Sequence, residues 1–172
     1  MEDGSLFFIK PKNVAVLLID MQEYFLDEAG KKEIIPHQVA IIQECQDMGI
    51  PFIVLEYEDQ GETVLELQEK IEKLPNHHRI IKNNDSAFLD TNLDDLLKRQ
   101  GVEKILLMGV NACACVRDTA RDAVRKGYEI ITSDMLIAGC CPVCRESTQW
   151  FEENGEYLQG KLPSFRKQAK AA

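Results

Sequence analysis

The run NVAVLLID, residues 13–20, limits the fold more than any other feature of the chain. It is apolar without a break, ends in an acid, and is too short for a helix. A strand wetted on one face alternates polar and apolar residues, whereas a strand covered on both faces does not. IPFIVLEY (50–57), VEKILLMGV (102–110) and YEIITSD (128–134) have the same character, and HRIIKN (78–83) is a shorter strand. Segments of helical period separate them. KKEIIPHQVAIIQECQDMG (31–49) spaces Ile35, Val39, Ile42 and Cys45 along one face, with Pro36 near its start and Gly49 at its end. ETVLELQEKIEKL (62–74), TNLDDLLKRQG (91–101), CACVRDTARDAVRKG (113–127) and CRESTQWFEENG (144–155) read the same way. Regular alternation of buried strands and helices predicts an α/β fold. We expect three α/β/α layers, a mostly parallel Rossmann-like sheet and right-handed crossovers. Residues 1–172 show no repeat and no linker, so one domain is expected. EYLQGKLPSF (156–165) is short and turn-rich, and its pattern leaves open whether it adds a sixth strand.

Charge and cysteine usage narrow the function classes. The 172 residues carry a net charge of −9, the wrong sign for a nucleic-acid surface. No apolar run is long enough to span a bilayer. MEDGSLFFIKPKN has no long apolar core, so it does not read as a secretory signal, and a cytoplasmic location is expected. In that setting the six cysteines read as reduced thiols rather than a disulfide framework.

In a parallel sheet, ligands bind beyond the carboxyl ends of the strands. The residues that fall there are Asp20, Tyr57, Lys82, the segment Val110–Cys115, and Asp134. Cys115 lies in the first turn of a helix, where unpaired N–H groups and the helix dipole favour a thiolate. Cys113 lies earlier, in the link. A buried cysteine is also an ordinary small hydrophobe, Asp20 could be a turn former, and Lys82 could be an exposed strand end. Taken together they form a set in which an acid can serve as general base, a lysine can lower a thiol pKa, and a thiol can attack a carbonyl.

Three segments carry a family resemblance. VAVLLIDMQEYFL, IIKNNDSAF and GVNACACVRDTARDAVRKGY resemble, in order and spacing, the Asp, Lys and nucleophile segments of the isochorismatase-like cysteine hydrolases, and SDMLIAG resembles the strand-end Asp that follows. The likeness covers about residues 12–138. It implies a catalytic triad of Asp20, Lys82 and Cys115, with the N–H groups of Asn111 and Cys115 as the oxyanion hole. It also implies a cis peptide bond at Val110–Asn111, which between non-proline residues costs ~3–4 kcal/mol. The implied activity is hydrolysis of a small amide or ureido C–N bond through a thioester. A homo-oligomer and a small-molecule substrate are expected, with no cofactor, no nucleic acid and no membrane partner. Gln22, Phe25, Tyr57 and Phe88 are the candidate substrate-binding residues.

The chain also departs from the family pattern. Some branches, the nicotinamidases among them, bind a metal through an Asp and two His after the second strand. VLEYEDQGETVLELQ contains no histidine, and His77 and His78 read as a loop before a strand, so no metal site is expected. GCCPVC (139–144) has C-x-x-C spacing, which alone is weak evidence for zinc; thiols near the site mouth are the better reading. Two alternatives stand beside C–N hydrolysis. One is a vinyl-ether hydrolase of the isochorismatase type, and the other is a catalytically silent thiol-based redox sensor.

Overall fold

The computed structural model describes residues 6–26, 31–139 and 145–167. In chain order the elements begin with β1 (Leu6–Phe8), β2 (Val14–Ile19) and α1 (Glu23–Leu26). A short 3₁₀ turn at Lys31–Ile34 leads into α2 (Ile35–Met48), β3 (Phe52–Tyr57), α3 (Leu65–Ile71), β4 (His77–Lys82) and α4 (Leu93–Arg99). Then follow β5 (Lys104–Val110), a π-helical turn at Ala112–Val116, α5 (Arg117–Arg125), β6 (Glu129–Ser133) and β7 (Ile137–Ala138). The last elements are α6 (Arg145–Asn154), β8 (Glu156–Leu158) and β9 (Leu162–Ser164).

The central sheet has the order β4-β3-β2-β5-β6-β8, and every neighbouring pair is parallel. The segment 156–165 thus supplies a sixth strand, β8, and then β9, which pairs with β1 in a small separate sheet. β2 is central, and all six of its residues are buried. Its side chains point alternately to the two faces. Val14, Val16 and Leu18 join Ile41, Ile42, Leu67 and Ile71 of α2 and α3 in one core. Ala15, Leu17 and Ile19 join Leu97, Val116, Ala120 and Phe151, from the α4, α5 and α6 side, in the other. The unbroken apolar run of β2 follows directly from having helices on both faces. The result is the expected three-layer α/β/α arrangement. Among the described residues, no helix is long and apolar enough to cross a membrane.

Two local details differ from expectation. His77 and His78 lie within β4 rather than in a loop, because that strand pairs in register with β3 from Phe52↔His77 onward. On α2 the fully buried polar position is Gln38, whereas Val39 is only half-buried. Gln38 holds that place by donating to the Leu136 carbonyl at 3.1 Å. Gly49 ends α2 as expected, at φ 65°, with its N–H bonded to the Cys45 carbonyl.

Gly109 matters most for the site. It pairs with Ile19 across β2 and β5 and has φ 144°. A Cβ on it would lie 2.1 Å from the Ile19 carbonyl oxygen. Only glycine allows the two central strands this approach at the carboxyl edge.

Candidate active site

β2 and β5 lie side by side, and each is followed by a residue in the left-handed region. Asp20 has φ 56° and Asn111 has φ 62°. Short polar side chains tolerate that conformation by bonding locally, and these two bond to each other. The Asn111 amide donates to Asp20 Oδ2 at 3.3 Å. Lys82, at the end of β4, reaches across β3 to the same carboxylate. Its Nζ lies 3.1 Å from Oδ1 and 3.3 Å from Oδ2, and both side chains are fully buried. The ammonium also donates to the Asn84 carbonyl at 3.2 Å and sits 4.4 Å from the centre of the Tyr57 ring. Asp20 Oδ1 is engaged through the ion pair with Lys82.

Cys115 is held on the π-helical turn, where the Val116 N–H reaches back to the Asn111 carbonyl at 3.2 Å. Such an extra residue in a helix recurs at functional sites. The Cys115 thiol interacts with Asp20 and lies 3.5 Å from Asp85 Oδ1. Burial pushes the thiol well above its ordinary range. Asp20 and Asp85 push it further, and Lys82 only partly opposes them. Lys82 lowers the thiol as expected, but the net direction is upward. Desolvation and two carboxylates outweigh one lysine whose charge is already spent on Asp20. Cys115 rests as a protonated thiol against a carboxylate.

A cavity of about 290 Å³ opens over this group. Asp85, Asn111 and Cys115 form its reactive side, while Tyr24, Phe25 and Tyr57 form an aromatic wall. Gln60 and Ala114 also line it, and among the described residues no Lys, Arg or His does. Phe25 meets Tyr57 edge to face, with ring centres 6.2 Å apart.

The expected residues are thus not all in one place. Asp20, Lys82, Asn111 and Cys115 come together, and Phe25 and Tyr57 face the cavity. Gln22 does not line it. Its amide bonds the backbone of Tyr57 in both directions (2.9 and 2.8 Å) and the Gly61 carbonyl (2.6 Å), bracing the wall from behind. Phe88 is buried against Tyr128, with ring centres 6.0 Å apart, away from the cavity. Asp134 is exposed and accepts the Gly160 N–H. The Val110–Asn111 peptide bond is trans, as no cis bond occurs among the described residues. Here the turn is made by the left-handed Asn111, which needs no cis bond. Asp85, Tyr24 and Gln60 were missed. Asp85 had a signal, as an acid three residues after Lys82 in the segment that carries the lysine.

The rest of that segment now has a physical role. The Ser86 hydroxyl donates to Asp122 at 2.6 Å, and Thr119 Oγ1 accepts the Ala87 N–H at 3.0 Å. These bonds fasten the loop after β4 onto α5 and fix Asp85 beside Cys115. After β3, buried Glu56 accepts from both the N–H and the hydroxyl of Thr63, and it pairs with Arg79. Among the described residues, no group of three or more His, Cys, Asp or Glu side chains could hold a metal ion. Cys140, Cys141 and Cys144 lie outside the described residues.

Comparison with known proteins follows from this geometry. The isochorismatase domain model matches residues 14–144. A probable inactive nicotinamidase of Arabidopsis thaliana is 30% identical over 153 residues, covering 70% of this chain and 78% of the relative. A streptothricin hydrolase of Streptomyces noursei is 33% identical over 92 residues, covering 54% of this chain but 32% of the relative. The crystal structure of a Staphylococcus aureus nicotinamidase superposes with a TM-score of 0.78 at 23% identity, covering 86% of this chain and 99% of that one, a likeness of fold. The match runs from the first residue of β2 past the whole Asp20, Lys82 and Cys115 constellation, and on that ground the chain belongs to the isochorismatase family of hydrolases.

Proposed function

We propose that this protein is a cysteine hydrolase that cleaves the C–N bond of a small amide or ureido compound, with Asp20, Lys82 and Cys115 as its triad. The observation that carries the reading is Cys115 on the lining of a cavity of about 290 Å³, with its thiol interacting with Asp20 of the buried Asp20–Lys82 pair. Asp20 takes the thiol proton as Cys115 Sγ forms its bond to the carbonyl carbon, so thiolate never accumulates. Lys82 holds the Asp20 carboxylate in place beforehand. The backbone N–H groups of Asn111 and Cys115 receive the oxyanion. Asp20 then protonates the leaving nitrogen, the C–N bond breaks, and a thioester remains. Water, deprotonated by Asp20, attacks the thioester, and the thiol leaves with its proton restored.

Among the described residues no Lys, Arg or His lines the cavity, which disfavours a vinyl-ether diacid, since that would need countercharge. A second reading has a specific observation behind it. The Arabidopsis relative is named as probably inactive, and a thiol pushed upward also suits a silent site. Ammonia release from a panel of small primary amides and ureas separates the two. We expect turnover by the native protein, none by Cys115→Ala, and a loss of at least about a hundredfold in Asp20→Asn. Equal ammonia release by native protein and Cys115→Ala would overturn the cysteine mechanism.

A further inference from the structure

We propose that Asp85 makes this site select substrates that carry a positive charge close to the scissile carbonyl, an aminoalkyl amide or similar cationic compound. The inference rests on the C–N hydrolase reading and names the substrate class within it. Four observations carry it. Asp85 Oδ1 lies 3.5 Å from Cys115 Sγ, so it borders the atom that attacks. It meets no Lys or Arg among the described residues, unlike Asp20, whose charge Lys82 balances. Its loop is pinned to α5 through Ser86–Asp122 and Ala87–Thr119, so the carboxylate is pre-positioned. Tyr24, Phe25 and Tyr57 also line the cavity, and among the described residues no Lys, Arg or His does.

A carbonyl carbon in attack position lies about 3–3.5 Å from Sγ. A cationic group two or three bonds farther along the substrate then falls within a few ångströms of Asp85. Aromatic faces in the same lining favour the same charge. A carboxylate in that place meets like charge with nothing to offset it. The Asp20–Lys82 pair adds no net charge, which leaves Asp85 as the charged side chain among the described lining residues.

The test reads that field at Cys115 without requiring turnover. Three thiol reagents of one chemistry differ in charge: the trimethylammonioethyl, sulfonatoethyl and methyl methanethiosulfonates. Their rates at Cys115 are measured at pH 9 by peptide mass, on native protein, Asp85→Asn and Asp85→Glu. The neutral reagent corrects for any change in thiolate content. We expect the cation-to-anion rate ratio at native Cys115 to exceed that of glutathione by about tenfold. It should fall about tenfold in Asp85→Asn and be largely kept in Asp85→Glu. A ratio like that of glutathione, or one unmoved by Asp85→Asn, would overturn the proposal. Charge selectivity without amide turnover would instead count against the hydrolase reading alone. In the matched amides butyramide, β-alaninamide and succinamate, the same selectivity predicts the order cationic, neutral, anionic in kcat/KM.

Discussion

Two ion-pair regions of this molecule use the same kinds of residues and do different things. At the carboxyl edge of the sheet, Asp20 and Lys82 face each other with both side chains fully buried. On the far helical face, Asp94 accepts from Lys98 at 2.9 Å, Lys126 at 3.1 Å and the Tyr128 hydroxyl at 2.9 Å, in partial contact with water. The second cluster joins α4 to the end of α5 and to the start of β6, and three donors share the one carboxylate. Partial burial raises the Asp94 carboxyl, but bonds from Lys98, Tyr128 and Lys126 outweigh this and bring it down to about 2. The first region gives up the hydration of two full charges for their mutual contact and a few polar neighbours. Pairs of that kind add little net stability, because desolvation offsets most of the attraction. Their retention inside a fold that could have been apolar there points to chemistry. The partly exposed cluster ties neighbouring elements together, whereas the buried pair is held by the fold at the sheet edge where the proposed chemistry would take place.

The sharpest way to break this contrast is to remove one partner of the buried pair. Lys82→Met leaves Asp20 charged, buried and unpaired. It should lower unfolding stability by about 3–5 kcal/mol in denaturant titration. Adding Asp20→Asn to that variant should recover a good part of the loss, because the stranded charge is gone. A Lys82→Met loss below about 1 kcal/mol would mean the pair is far wetter than its burial indicates.

A smaller effect sharpens the role of the buried carboxylate. Because burial, Asp20 and Asp85 hold the Cys115 thiol up, little thiolate exists near neutral pH. Iodoacetamide should label Cys115 at pH 8 at least about tenfold more slowly than it labels glutathione. The rate should keep climbing with pH past the point where an ordinary thiol levels off. A plateau below pH 8 would show a thiolate stabilised in the resting site, and Asp20 would no longer be needed as proton acceptor in the first step.

The smallest effect belongs to the exposed cluster. The folded pKa of Asp94, about 2, lies below the usual value near 3.8. Its contribution is therefore present above pH ~4 and is lost as pH falls from ~4 towards ~2. Asp94→Asn should cost about 1 kcal/mol at pH 7 after allowance for solvent screening, and nothing by about pH 1, below the folded pKa. Thermal unfolding of both proteins across that range measures the difference.

Much of the fold was legible because burial on both faces leaves a plain mark on a strand. The runs at 13–20, 50–57 and 102–110 became β2, β3 and β5 with only their ends trimmed. β8 was not legible, since three residues at a sheet edge carry no period. In the site, Asp20, Lys82 and Cys115 could be picked out because each follows a strand or opens a helix. Gln22 and Phe88 could not be sorted from true lining residues. An amide near a strand end can face a ligand or brace a loop, and a phenylalanine can be wall or core. The Gln22 bonds to Tyr57 and Gly61 decide the first case, and the stacking of Phe88 on Tyr128 decides the second.

By itself, then, the sequence determined the layer architecture, the parallel sheet and the edge at which chemistry would gather. Those depend on periodicity and local order, which are properties of neighbours along the chain. The state of the thiol, the trans turn at Asn111 and the placing of Asp85 beside Cys115 were decided only by tertiary structure. The Asp85 contact joins residues 30 positions apart, and the Asn111–Asp20 bond joins residues 91 apart. A pKa depends on how much water is excluded and which charges stand within a few ångströms, and neither quantity exists until distant segments have packed.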